Sequence, residues 1–342
     1  MEGGGNIEQG ISEMQIDIVL PWVDGSDPEW QKIRNQYRED GDDRVERYRD
    51  FGILKYLFRG IETFMPWVRT VHFVTMNQIP EWMNAGCEKL HLVDHRDYMP
   101  HDCLPTFNSN AIEMNFHRIE GLSEQFLLFN DDFILLRPME ETDWFRNGKP
   151  VDMLALQPDV ANADNEVMPY IYLNNAMVIA RHFNKIENMK QQPWAYFNLR
   201  YPFQYFAYNN LERLWPRYTG FFTAHGPSPM LKSAFEELWE MEPEVMETVS
   251  HNRFRAKTDV NQYLVREYTK QKGNFVPENI LKNFRYFELS DDNEALYECI
   301  RTKGASVICI NDANHSFDAE TAARRMQECL ESAFPEKSRF ER

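Results

Sequence analysis

Four groups of residues in this chain are of types that do chemistry. The tripeptide Asn130-Asp131-Asp132 interrupts an apolar run, with Phe126 to Phe129 before it and Phe133 to Leu136 after it. Adjacent carboxylates among such neighbours are costly to desolvate unless a cation or hydrogen-bond donors satisfy them. A hard divalent ion bridging to a diphosphate fits, because Mg²⁺ typically takes one or two carboxylates with phosphate oxygens and water. The structural alternative is a tight Asn-Asp turn in a hairpin. His225 lies between Phe221-Phe222 and the turn Gly226-Pro227. An imidazole held partly away from water there stays near neutral and suits a general base. Arg253, Arg255 and Lys257 alternate ahead of a helix start expected at Thr258-Asp259, a plausible phosphate cradle of cations and unpaired N–H groups. A satisfied structural His and a solvated cationic face are the plainer readings.

Glu113, in Asn110-Ala111-Ile112-Glu113, has two readings as well. With Asn110 as the cap it falls at the third position of a capping box, and His117 one turn later is its surface partner. It is otherwise a carboxylate available to a site. Residues 16–28 read as a strand running into the turn Asp24-Gly25-Ser26-Asp27-Pro28, with Trp22 at its end. Such a junction can hold a nucleotide, the aromatic face against the base and carboxylates near the ribose hydroxyls. Asp-Gly and Asp-Pro are also ordinary turn formers.

The elements that position these groups follow from patterning. Strands are expected at residues 16–20, 71–75, 90–93 and on either side of Asn130-Asp131-Asp132. Ile53, Leu54, Leu57, Phe58 and Ile61 mark an amphipathic helix between the first two. A second helix starts near Asn110, carries Ile112, Phe116 and Ile119, and stops at Gly121. Alternating strands and helices give an α/β, Rossmann-like fold with a mainly parallel sheet, whose ligands lie at the carboxyl ends of the strands. Residues 194–222 are different: twelve of these 29 are aromatic, which suggests the core of a mostly helical, aromatic-rich subdomain rather than a sugar-stacking platform. Helices opened by Ser228-Pro229 and by Thr258-Asp259 follow, the latter stopping at Gly273, and then a strand at 306–310 and a helix from Asp318. The expected organisation is an α/β core over residues 1–180, a helical part over 181–300, and a C-terminal strand and helix over 301–342 returning to the core.

Lys and Arg number 37 against 54 Asp and Glu, a formal balance of −17, which argues against nucleic-acid binding because that needs a basic footprint. The first fifteen residues show neither a basic nor an apolar segment of a secretory signal, and no apolar run reaches membrane-spanning length. Cys87, Cys103, Cys299, Cys309 and Cys329 are scattered and odd in number, as expected of reduced thiols in a cytoplasmic protein.

In this order, the motifs resemble the Stealth family of sugar-phosphate transferases, which includes bacterial capsule polymerases. Four blocks carry the likeness. The first is IDIVLPWVDGSD over residues 16–27. The second runs from Arg47-Tyr48-Arg49-Asp50 through Met65-Pro66-Trp67-Val68-Arg69, Asn77-Gln78-Ile79-Pro80, Leu104-Pro105-Thr106-Phe107 and His117-Arg118-Ile119-Glu120-Gly121-Leu122 to Asn130-Asp131-Asp132. The third spans residues 225–259, and the fourth runs from Ile308-Cys309-Ile310-Asn311-Asp312 to Phe334-Pro335.

The resemblance implies a glycosyltransferase-A-like core and transfer of hexose-1-phosphate from a nucleotide sugar, such as a UDP-N-acetylhexosamine, to a glycan hydroxyl with release of UMP. It places catalytic positions on Glu113, Asp132, His225 and Arg255, with Mg²⁺ or Mn²⁺ on Asp132 and Asp131. Donor contacts fall on Trp22, Asp24, Gly25, Asp27, Asn77, Gln78 and Arg253. Pro21 and Asp24 stand where animal relatives carry Thr and Asn. The implied partners are a nucleotide-sugar donor and a glycan acceptor, with peripheral association to a capsule-assembly complex at the inner face of the plasma membrane, and self-association. A metal-dependent glycosyltransferase releasing nucleoside diphosphate, or a non-catalytic glycan-binding protein, are the competing readings.

Overall fold

The structure, a computed structural model, describes residues 15–38, 48–161, 167–312 and 317–342. The segment inspected for a secretory signal, apart from Gln15, and Arg47 lie outside these. Eleven strands occur among the described residues. They are β1 (Ile16–Pro21), β2 (Val71–Thr75), β3 (Leu90–Asp94), β4 (Gln125–Leu128), β5 (Phe133–Leu135), β6 (Phe145–Arg146), β7 (Lys149–Asp152), β8 (Ser228–Leu231), β9 (Val276–Pro277), β10 (Phe284–Glu288) and β11 (Val307–Asn311). The first four form a parallel array in the order β3, β2, β1, β4, with Ile18 of β1 opposite Val71 on one side and Leu127 on the other. Continuous runs such as Ile18-Val19-Leu20 and Val71 to Thr75 are buried along their length, as a sheet covered on both faces requires. One covering element is the expected helix, Leu54–Phe64, which buries Leu54, Leu57, Phe58 and Ile61. The fold is α/β and Rossmann-like, with a mainly parallel sheet and flanking helices.

Because β2 and β4 flank β1 on opposite sides, the strand order reverses there, and the carboxyl ends of β1 and β4 open a crevice between them. One carboxylate in this sheet is structural. Asp17, buried in β1, is held by the Arg69 guanidinium, by His72 Nε2 at 3.1 Å and by the Ser123 N–H at 2.8 Å. Burial opposes its ionisation, yet these partners hold its carboxyl well below the usual range.

Several expected elements differ. Ser228-Pro229 does not open a helix: it begins β8, which pairs antiparallel with β4, and the helix starts only at Lys232. All four residues of β8 are buried, and Pro229 is tolerated because the strand is the sheet's outer edge. The helix near Asn110 is a single turn, Ser109–Glu113, capped by Asn108; a separate 3₁₀ turn covers Phe116–Arg118. The later helix begins at Gln262 under an Asn261 cap rather than at Thr258-Asp259, and Gly273, with φ +72°, follows its end. β11 joins β10 and β5 in a second sheet while packing into the same apolar core as β1. The aromatic segment splits: Tyr196, Tyr201 and Tyr205 are buried in two small clusters with Leu154, Leu156 and Met153, while Trp194, Phe203 and Trp215 face outward.

Candidate active site

β4 and β5 do not pair with each other. They belong to different sheets, so Asn130-Asp131-Asp132 is the joint where the chain crosses from one to the other, not a hairpin turn. The crossing is clamped from the C-terminal side, where the Ile310 N–H donates to the Asp132 carbonyl at 2.9 Å. The carboxylates are thereby carried to the carboxyl end of β4, opposite Pro21 and Trp22 at the end of β1.

His225 reaches this point from the loop ahead of β8. Its Nε2 lies 3.3 Å from Asp132 Oδ2, its Nδ1 lies 3.0 Å from the Tyr263 hydroxyl, and its ring meets Phe133 edge-on at 5.5 Å. Burial disfavours its protonated form, but the hydrogen bond and charge of Asp132, with Glu113 behind, outweigh this and raise its pKa. The Cys309 thiol approaches the same Asp132 oxygen at 3.3 Å. Burial and that neighbouring carboxylate hold Cys309 far above the ordinary thiol value, so it stays a neutral donor.

Glu113 sits at the end of its short helix rather than in a capping box, since the cap is two residues earlier than expected. Burial pushes its pKa up to about 7 against the pull of Arg255, His225 and the Gln262 N–H. Its supposed surface partner His117 instead packs on Phe235 and Trp239, and burial brings that imidazole down to about 3. Arg255 donates to Ser109 Oγ at 2.8 Å. Asp131 is pushed up to about 7 by burial and by the charges of Asp132 and Asp50.

Asp131, Glu113 and Arg255 are the charged lining of a cleft of about 220 Å³ whose walls are Trp22, Trp30, Tyr48, Phe107 and Phe254; Asp132, next in the chain to Asp131, and its partner His225 lie outside this lining. Trp22 Nε1, His95 Nδ1 and Asp132 Oδ1 are buried without a partner among the described residues. Buried polar atoms are normally paired; Trp22 and His95 line the cleft, and Asp132 adjoins its Asp131, so these atoms are candidates for contact with a ligand.

The donor-contact residues inferred from sequence separate into two sets. Trp22 lines the cleft and stacks on Phe73 at 5.6 Å. Asp24, Gly25, Asp27 and Gln78 build the wall behind it. Gln78 bridges the Asp24 backbone (2.9 and 3.0 Å) and Asp27 Oδ2 (2.9 Å), while Asp27 caps the helix Pro28–Tyr37. Gly25 is required there, because a Cβ would lie 2.3 Å from the Tyr48 Cβ. Asn77 is exposed, at φ +57°. The three cations diverge: Arg255 faces the cleft, Arg253 stacks on Tyr37 at 4.9 Å and Lys257 on Tyr170 at 5.0 Å. The segment bends at Asp259, whose buried carboxylate accepts from Asn108 and Asn110 Nδ2 (2.9 Å each), Asn252 Nδ2 (2.7 Å) and the Ala256 N–H (3.0 Å). Asp259 thus stitches the loop carrying Arg255 to the turn carrying Glu113. Sequence reasoning took it only for a helix start, and Tyr263, His95 and Cys309 gave no local signal.

The oxygens here fit a hard divalent cation. Asp132 Oδ1 lacks a partner, and Asp131 is destabilised by carboxylates that a cation would neutralise. Asp132, His225 and Cys309 also bring ligand atoms within 4.8 Å of one another, but the neutral thiol makes a poor ligand for a hard ion.

Paired carboxylates, a His and an Arg thus meet near the strand-order switch, and this is the candidate active site. Residues 14–42 match Stealth protein CR1, conserved region 1, and residues 47–152 match Stealth protein CR2, conserved region 2. The chain belongs to the Stealth family, and its chemistry is phosphotransfer in polysaccharide synthesis. It is 34% identical over 334 residues to the capsular polysaccharide phosphotransferase WcwK of Streptococcus pneumoniae, covering 96% of this chain and 98% of that protein. It is 36% identical over 340 residues to the exopolysaccharide phosphotransferase cps2G of Lactiplantibacillus plantarum, covering 96% of each. Among solved structures, galactosyltransferase LgtC with donor and acceptor sugar analogues aligns at a TM-score of 0.40 and 12% identity, over 92% of this chain and 95% of that one.

Proposed function

We propose that the protein transfers hexose-1-phosphate from a nucleotide sugar, a UDP-N-acetylhexosamine, to a glycan hydroxyl, forming a phosphodiester and releasing UMP. The observation that carries this reading is the pairing of His225 with Asp132 next to an aromatic cleft whose charged lining is Asp131, Glu113 and Arg255. The cleft walls suit a nucleobase, with Trp22 the sequence-expected contact, and the charged lining suits a diphosphate.

His225 is the general base: its Nε2–H donates to Asp132, so the proton of the acceptor hydroxyl goes to Nδ1, where the Tyr263 hydroxyl lies at 3.0 Å, and Asp132 stabilises the imidazolium that results. The acceptor oxygen bonds to the sugar-linked phosphorus as the bond from that phosphorus to the bridging oxygen breaks, and UMP leaves with that oxygen. Arg255, seated on Ser109, binds the phosphoryl oxygens as charge spreads over them. Glu113 orients His225 and Arg255 through its charge. Asp132 and Asp131 would hold Mg²⁺ or Mn²⁺, which supplies neutralisation of the diphosphate when bound. The acceptor enters from the side of residues 181–300, which contribute both His225 and Arg255.

Incubation with Mg²⁺, a panel of UDP-sugars and capsule-type oligosaccharides, followed by ³¹P NMR, tests this. A phosphodiester signal with UMP is expected. Release of UDP with a glycosidic product would assign attack to the anomeric carbon and overturn it.

A further inference from the structure

Within residues 193–217, the helix Phe203–Leu211 is turned inside out. Tyr205 and Asn209, with Glu212 just beyond, form its buried side, and Asn209 bonds the Leu156 N–H (2.7 Å) and the carbonyls of Leu154 (2.9 Å) and Tyr196 (2.7 Å). The opposite side carries Phe203, Ala207 and Leu211 at helical spacing, continued by Leu214. Phe203 is 82% exposed, Leu214 75% and the preceding Leu199 86%. Six of the fifteen exposed large apolar side chains among the described residues fall between Trp194 and Trp215, a concentration well above an even spread along the chain.

The exposed charge of this stretch is opposite in sign to that of the whole chain. The chain carries −17, yet the exposed charged residues of this stretch are Arg200, Arg213 and Arg217 alone. The single acid, Glu212, is buried and paired with Lys185 at 2.5 Å. Exposed Leu, Phe and Trp side chains with exposed arginines close to them in sequence is the composition of a surface that rests in the headgroup region of an anionic bilayer. In a two-fold contact between copies these arginines would face one another, so a cationic rim suits an anionic lipid surface better than a self-complementary dimer. No helix among the described residues is long and apolar enough to cross a membrane, so contact is at the surface.

We propose that the face formed by Leu199, Phe203, Leu211, Leu214 and Trp215, with Arg200, Arg213 and Arg217, docks on a bilayer bearing anionic lipid. The proposal is independent of the reaction assigned above. Its test is co-sedimentation of the full chain with vesicles of phosphatidylcholine, alone or mixed equally with phosphatidylglycerol. Binding to the mixed vesicles alone is expected, weakening in high salt. The F203S/L211S variant, both sites being exposed, keeps the wild-type melting profile and loses partitioning by about tenfold or more. The R200Q/R213Q variant loses about fivefold per arginine. Wild-type protein that stays in the supernatant with both vesicles, or F203S/L211S binding like wild type, overturns the proposal. So does a wild-type dimer that F203S/L211S converts to monomer without any vesicle binding, which assigns the face to a second copy.

Discussion

His225 Nε2 and Cys309 Sγ converge on one oxygen of Asp132, each at 3.3 Å. Three parts of the chain separated by 93 and 177 residues therefore meet at a single carboxylate, and its other oxygen is left buried without a partner. The shared oxygen orients the imidazole, and the orphan oxygen is the one available to a cation.

If His225 is the base, H225A lowers kcat by about 10² or more while the fold is retained. Y263F, which removes only the hydroxyl on Nδ1, lowers it by a smaller factor of about three to ten. Steady-state assay of UMP release checks both; near-normal turnover of H225A removes the base assignment.

The orphan oxygen leads to a metal test. Calorimetric titration of the wild type with Mg²⁺ or Mn²⁺ is expected to show one site that D132N weakens by about tenfold or more. Chelation should abolish turnover and either ion restore it. Equal binding by D132N would move the metal elsewhere.

Asp259 is expected to matter for activity although it touches no part of the cleft. D259A takes a shared acceptor from four donors, of which Asn108 and Asn252 Nδ2 keep other partners, and is expected to cost about 3 kcal/mol in urea unfolding. As Arg255 loses its seat, kcat falls by about tenfold. A loss of stability with unchanged turnover at a temperature where the variant is folded would break the link.

Acid sensitivity follows from His95, which burial holds at about 4 against the ordinary 6.5. The fold favours its neutral form, so as pH falls below about 6.5 the unfolded chain takes up the proton first. The contribution is complete above that value and is lost on the way down to about 4, at most about 3 kcal/mol. Urea midpoints of the wild type should drop over this window, and those of H95Q should drop less. Asp17, whose carboxyl is depressed, loses its contribution only at lower pH, below the ordinary carboxylate value.

Much of the fold was legible because its causes are local. Short runs rich in β-branched and other apolar residues marked β1, β2 and β3, and spacing at three and four residues marked the helix Leu54–Phe64. At residues 228–231 local signals misled, since Ser-Pro reads as a helix start while the open edge of β4 recruited the apolar Met230 and Leu231 into a strand. Glu113 was ambiguous for a similar reason: a cap at Asn108 or at Asn110 is a matter of two residues in sequence, and a contact with Asp259 decided it.

The amino-acid sequence by itself determined the α/β class, the motif order that places the chain in its family, and the conflict of two carboxylates set among phenylalanines and leucines. Only the tertiary structure decided that Asn130-Asp131-Asp132 bridges two sheets, that His225 and Cys309 share Asp132, that the three cations diverge, and that one helix turns its apolar side outward. The physical reason is range. Periodicity and capping act over a few residues, whereas hydrogen bonds and burial between segments 93 to 177 residues apart exist only once the sheets have brought those segments together.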